Sequence, residues 1–286
     1  MLTHEAIPTS RLYTLIDEQR QFALYFLEGQ KLIQDLALVH DLRGAGFAYF
    51  RDAVLSVQPM IAFLKAGEQL GFYIDSDRPD FRLKIETGHH GATRCALVPD
   101  SFREFPEQVW GIVRLLKLFP GNRPPYESVI DLEGLPLRGI VNEVLRNSYQ
   151  VNSAIVVSPR SDQSLMLHQL PPSRSEDYEY SLDAVRARRD ELQDAAVRIF
   201  DRALVRADEI QAAFAEIGFR EIASREVQVR CGCSRERMLA GVRLAAGDRL
   251  EDLFDPGDDT LSITCEYCKA TYRVSRAELE DGGRAN

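Results

Sequence analysis

Four cysteines near one end constrain this chain more than any other feature. They stand as Cys231-Gly232-Cys233 and Cys265-Glu266-Tyr267-Cys268, with thirty-one residues between the two pairs. Thiolates are soft ligands, and among the common cellular metals four of them suit zinc. Zinc in a closed site takes four ligands as a tetrahedron. The spacing therefore predicts a four-cysteine zinc site of Cys231, Cys233, Cys265 and Cys268, and it demands a fold that brings the two pairs together. The competing reading, two disulfides in a secreted protein, needs an export signal. Residues 1–20 hold no basic start followed by an apolar run, so no signal is expected. No eighteen apolar residues run together, so no membrane span is expected either. A reducing, cytoplasmic location follows, where paired cysteines bind metal or do redox chemistry more often than they form lasting disulfides.

The usual role of a four-cysteine site is a structural staple. The C-x-C points elsewhere. One intervening residue sets two sulfurs side by side, where an oxidant can join them, and Gly232 is the residue best able to accept the strain of that closure. Cys231-x-Cys233-Ser234-Arg235-Glu236-Arg237, followed by Cys265-Glu266-Tyr267-Cys268-x-x-x-Tyr272, resembles the switch of the 33-kilodalton chaperonin family. These are redox-regulated bacterial holdases. The resemblance implies a zinc cofactor and unfolded proteins as clients. It implies disulfides Cys231–Cys233 and Cys265–Cys268 on oxidation, and a homodimer as the active form. The N-terminal part resembles the family more faintly. Ser148 and Gln150 fall where the family has Ser and Gln, with Tyr149 in place of Glu. His168 stands at a Gln position before Pro171. Only Arg94 survives of a Val-Arg-Gly-Tyr.

Charge narrows the partners. The chain of 286 residues has a formal net charge of -9, and residues 225–286 carry twelve acidic against ten basic side chains. A phosphate backbone is held by clustered Lys and Arg, so nucleic acid is not expected as a partner. Apolar residues make up 45% of the chain, enough for a real core.

Along the chain, the spacing predicts mainly helix over residues 9–66, through Phe22, Phe26, Leu32, Leu36 and Val39, and again through Val54, Val57, Ile61 and Leu64. Short strands follow at 70–74, 81–85 and 93–98, then a hairpin of 111–119 and 126–132. A helix over 136–149 and strands at 153–157 and 164–169 complete an α+β domain of antiparallel sheet with helices, residues 1–172. Residues 173–224 read as a linker, most of it one helix from Leu182 to Ile217, with Ser181 as N-cap and Gly218 as stop. Its stripe is Leu192, Ala196, Ile199, Ala203, Ala207, Ile210, Phe214 and Ile217. Three of these eight are Ala, so weak docking is expected, worth only a few kcal/mol. Residues 225–286 read as a small α+β zinc-binding module. There Ser234 caps one helix, and Ser275 with Glu278 forms a capping box for another.

Other motifs carry less. His89-His90-Gly91 reads as a solvated turn and Cys95 as a buried small hydrophobe. The sequence holds no Gly-rich phosphate loop, no H-x-x-x-H and no nucleophile elbow, so no catalytic residue is assigned and an enzyme is not expected. A thioredoxin-like role for the C-x-x-C needs a βαβ context that the pattern lacks. The main rival to a redox-regulated holdase is an adaptor or interaction protein whose zinc module is a permanent staple.

Overall fold

The chain opens on a hairpin where the spacing predicts a helix. The computed structural model describes residues 7–171, 181–255 and 257–281. In it β1 (Arg11–Asp17) and β2 (Phe22–Glu28) pair antiparallel, Arg11 opposite Glu28. The reason for the difference lies in β2, which is buried at all seven positions. A strand covered on both faces reads as a continuous apolar run without alternation, and Phe22 and Phe26 then mimic a helical step. The helices of this region begin later, as α1 (Gln30–Val39) and α2 (Gly44–Val57), with a 3-10 turn at Gln58–Phe63.

The alternating segments form strands as expected. They are β3 (Gln69–Arg78), β4 (Asp80–Gly88), β5 (Ala92–Val98), the short β6 (Ser101–Phe102), β7 (Val109–Leu118) and β8 (Tyr126–Leu135). Then come α3 (Leu137–Tyr149), β9 (Ser153–Val157) and β10 (Gln163–Gln169). After the residues expected to begin the linker, 173–180, which lie outside the described residues, the chain continues as α4 (Leu182–Arg202), α5 (Ala207–Ala215), β11 (Arg220–Glu226) and β12 (Gln228–Val229). Two sheets result, ordered β11-β1-β2-β10-β9 and β12-β5-β4-β3-β7-β8. The class is α+β.

The five-stranded sheet is apolar on both faces. Leu12, Tyr25, Leu27 and Met166 enter one core cluster together with residues of α1, α2, α3 and the six-stranded sheet. Tyr13, Leu24, Phe26 and Leu167, their sequence neighbours, enter a second cluster with α4 and α5. Period-two alternation places these residues on opposite sides. The helices of the expected linker thus cover a face that would otherwise be bare.

That linker differs from the expectation in two ways. It is two helices, because Ala203 turns left-handed at φ 45° and Leu204 goes into the core. Gln163 Nε2 donates to the Leu204 carbonyl at 2.7 Å, and Asp208 with Glu209 starts α5 favourably for the helix dipole. A straight helix would have set Ala203 and Ala207 on the buried stripe; both are exposed. The packing is also bulkier than an Ala-rich stripe implies. Val185, Leu192, Ile199, Phe200, Ile210 and Phe214 are all buried, each worth about 1.5–3 kcal/mol by area. Against this gain stands a cavity of about 770 Å³, lined by Leu24, Ile155 and Leu167 of the sheet and by Leu192, Ala196 and Phe214 of the helices. Side chains facing unfilled space lose dispersion partners on that side.

The chain divides into two compact units, Met1–Val229 and Arg230–Asn286. The second holds α6 (Arg235–Ala246), a 3-10 segment at Gly247–Leu253, the hairpin β13 (Thr260–Thr264) with β14 (Thr271–Ser275), and α7 (Arg276–Asp281). Both expected caps form. Ser234 accepts from the Arg237 amide at 3.4 Å, while Ser275 and Glu278 satisfy each other's backbone N–H groups. Among the described residues, the apolar cluster of this unit has three buried members, Phe254, Val274 and Leu279.

Candidate metal centre

Each cysteine pair sits at a turn fixed by its neighbours. Cys231 and Cys233 lie in the segment between β12 and α6, where the Ser234 cap starts the helix. Arg237 Nη1 donates to the Gly232 carbonyl at 2.7 Å, and a Cβ on Gly232 would come within 3.0 Å of that nitrogen. Cys265 and Cys268 lie in the tight connection between β13 and β14. The Cys265 amide donates to the Ala270 carbonyl at 2.9 Å, and the Lys269 amide donates to the Cys265 carbonyl at 2.9 Å. Lys269 takes a left-handed conformation, φ 59°, to close the turn.

The fold brings the four sulfurs together. Cys231 Sγ stands 3.8 Å from Cys265 Sγ, and Cys233 Sγ stands 3.2 Å from Cys268 Sγ. All four lie within 4.8 Å of one another, a set able to hold one metal ion. Cys265 is buried and the other three are half-buried. These two close approaches run between the pairs, yet each sulfur is near every other, so proximity does not choose which would join on oxidation.

The sulfurs are not equivalent. The Cys233 thiol is pulled down to about 7, first by its hydrogen bond with the Tyr272 hydroxyl and then by the neighbouring thiols. The Cys268 thiol is pushed up to about 12, chiefly by burial. Tyr272 Oη lies 3.2 Å from Cys233 Sγ, and its own phenol is raised to about 12 by that contact. Tyr272 and Arg235 belong to the motif that the sequence displays, but the motif gives neither a task. In the structure Arg235 donates to both carboxylate oxygens of Glu278, at 2.6 and 2.9 Å, tying the start of α6 to α7.

The fifth cysteine is separate. Cys95 lies on β5, fully buried, and burial holds its thiol protonated well above the usual range. His89 and His90 occupy the turn between β4 and β5, one half-buried and one exposed.

A family profile described as Hsp33 protein matches residues 10–275. A protein named 33 kDa chaperonin from Pelobacter propionicus is 23% identical over 243 residues, covering 77% of this chain and 76% of that protein. Another of the same name from Vibrio cholerae is 22% identical over 175 residues, covering 58% of this chain and 57% of its own length. Among solved structures, the 33 kDa chaperonin of Thermotoga maritima superposes with a TM-score of 0.69 at 13% identity, over 96% of this chain and 97% of that one. At that identity the likeness speaks for the fold.

Proposed function

This chain belongs to the Hsp33 family, and from that premise we propose that it is a chaperone holdase switched on by oxidation of a zinc-bound Cys231–Cys233–Cys265–Cys268 centre. The observation that carries the reading is the convergence of four thiols in a unit whose apolar cluster has only three buried members among the described residues. Four sulfurs around a tetrahedral zinc, about 2.3 Å from the metal, stand about 3.8 Å apart. The Cys231–Cys265 separation of 3.8 Å equals that figure, while Cys233 and Cys268, at 3.2 Å, would move apart by about half an ångström to hold the metal. When bound, zinc supplies a four-way cross-link worth roughly 10–16 kcal/mol of apparent binding free energy in small modules.

The residues then do the switching. Under peroxide a cysteine thiolate attacks one oxygen, the O–O bond breaks and hydroxide leaves, giving a sulfenic acid. A second thiolate attacks that sulfur and expels a second hydroxide, forming the disulfide. Two electrons pass from the sulfur pair to the peroxide. Family resemblance gives the pairs as Cys231–Cys233 and Cys265–Cys268. Disulfide sulfurs are poor metal ligands, so either pair withdraws two donors and the cross-link fails. With so small an apolar cluster, residues 225–286 then unfold. Their loss frees the linker, residues 173–224, with most of β11, and bares the second face of the remaining strands β1-β2-β10-β9 in the client-binding domain, residues 1–172. Clients are unfolded proteins, and the oxidised form acts as a homodimer. A reducing cytoplasm keeps the resting protein closed.

The rival reading is an adaptor with a permanent zinc staple. Zinc release and aggregation suppression measured together, with and without peroxide, separate the two. Coincident release and activation are expected. Retention of zinc through mild oxidation overturns the switch.

A further inference from the structure

We propose that the Tyr272 hydroxyl protects Cys233, holding that sulfur back from oxidants and strengthening its hold on the metal. The proposal rests on the zinc-switch reading and adds a residue to it. Three observations carry it. Tyr272 Oη stands 3.2 Å from Cys233 Sγ. The tyrosine ring packs against the buried cluster of Phe254, Val274 and Leu279, which fixes where the hydroxyl points. The residue also lies on β14 opposite Ile263, in the hairpin whose turn carries Cys265 and Cys268, so one element positions both the donor and two of the ligands.

Chemistry sets the direction of the bond. Between a thiol and a phenol either group can donate. A thiolate that binds metal or attacks peroxide has no proton, so the phenol must donate to it. With zinc bound the sulfur would be a thiolate with or without this bond, so the bond adds no thiolate there; it draws electron density off the sulfur and lowers its nucleophilicity toward the O–O bond. Hydrogen bonds to metal ligands also orient them, and their loss typically costs 10–100-fold in metal affinity. The reaction restrained is the first step, transfer of one peroxide oxygen to the Cys233 sulfur with departure of hydroxide.

The test compares full-length parent with Tyr272→Phe, which keeps the ring and its packing. Three quantities are read: zinc affinity by competition with a chromogenic chelator, the rate of zinc release in excess hydrogen peroxide, and the share of sulfenic acid trapped at each cysteine by mass spectrometry. The expected result is affinity weaker by about tenfold, release several-fold faster, and a larger share of trapped sulfenic acid at Cys233. Equal acceleration at all four cysteines would mean that the tyrosine merely packs, and would overturn the proposal. So would a variant indistinguishable from the parent. If the parent itself keeps zinc in peroxide, the switch reading fails, while affinity and site selectivity still decide the role of Tyr272. Should Tyr272→Phe fail to fold, 3-fluorotyrosine at position 272 keeps the ring and offers a stronger donor. Slower trapping at Cys233 is then expected, and an unchanged rate overturns the idea.

Discussion

Arg188 on α4 reaches Asp17 at the end of β1, Nη2 to Oδ2 at 2.9 Å, and both side chains are buried. The same guanidinium lies over the Phe219 ring, 5.6 Å from its centroid, and its Nη1 donates to Glu191 at 2.9 Å. The linker helix is therefore fastened to the sheet by an ion pair as well as by apolar contact. Removing one partner of a buried pair leaves the other charge uncompensated, at a cost of about 3–5 kcal/mol. Arg188→Met should lower thermal stability by about that amount and expose residues 182–202 to hydrogen exchange without oxidant. It should also raise aggregation suppression by the reduced protein. A variant that loses stability yet stays inactive until oxidised would show that α4 does not hide the client surface.

Ala196 tests the same helix from the opposite direction. It is half-buried and lines the 770 Å³ cavity. Ala196→Leu directs a larger apolar group into that space, for a gain of about 1–2 kcal/mol if the volume is accepted. The expected outcome is a higher melting temperature and slower activation by peroxide at unchanged zinc release. Unchanged activation kinetics in a stabilised variant would remove α4 undocking from the mechanism.

The four-cysteine cluster is legible in the sequence because its chemistry is local. Two ligand pairs at short spacing leave few alternatives, and Cys231, Cys233, Cys265 and Cys268 do converge. Alternating strands such as β4 are equally plain, since one residue in two faces a core. The first hairpin is not, because a sheet buried on both faces erases its own period. β11 is hidden for the opposite reason. It is an edge strand with no buried residue, and its sequence Arg220–Glu226 is largely polar. The break at Ala203 depends on where Leu204 finds room in the core, which no local pattern encodes. Tyr272 stands in the motif, but only the folded hairpin shows which sulfur its hydroxyl meets.

Glu28 gives the first unit a pH dependence. It ends β2, is buried, and its carboxyl is raised to about 7 by burial, with the Gln30 amide opposing and the Asp162 charge adding to the rise. In the unfolded chain it titrates near 4.5. The folded state thus holds an extra proton between those values, and stability falls as pH rises through that window. Below about 4.5 both states are protonated and the penalty of burying a charge is absent. Glu28→Gln should therefore be more stable than the parent by about 3 kcal/mol at pH 8 and nearly equal to it at pH 4.5. Denaturant titrations at the two pH values check this. An equal difference at both would mean that the carboxyl is not the titrating group.

Along the chain, two weak sheet edges precede the first cysteine pair. Cys231 follows β12 with one residue between, and β12 is two residues pairing parallel with β5, Gln228 opposite Ala92 and Val229 opposite Thr93. Before it, β11 pairs with β1 at the edge of the five-stranded sheet, with a register shift between Thr14 and Leu15. Edge strands without buried side chains have little apolar contact to lose, and such elements open first. Val227 is the exception, buried between them and donating its N–H to the Ser10 carbonyl at 2.8 Å. The join depends on Gly91, at φ 76°, where a Cβ would fall 1.8 Å from the Glu226 carbonyl oxygen. On oxidation, residues 220–229 should lose hydrogen-exchange protection before residues 182–202, while β2 keeps its own. Gly91→Ala adds left-handed strain of about 1–2 kcal/mol to the clash. It should part Glu226 and Val227 from the turn and let activation proceed at lower oxidant concentration with zinc affinity unchanged. Simultaneous loss of protection across 182–229 in the parent, with no change of threshold in Gly91→Ala, would mean that the linker leaves as one body and that the edges do not set the order.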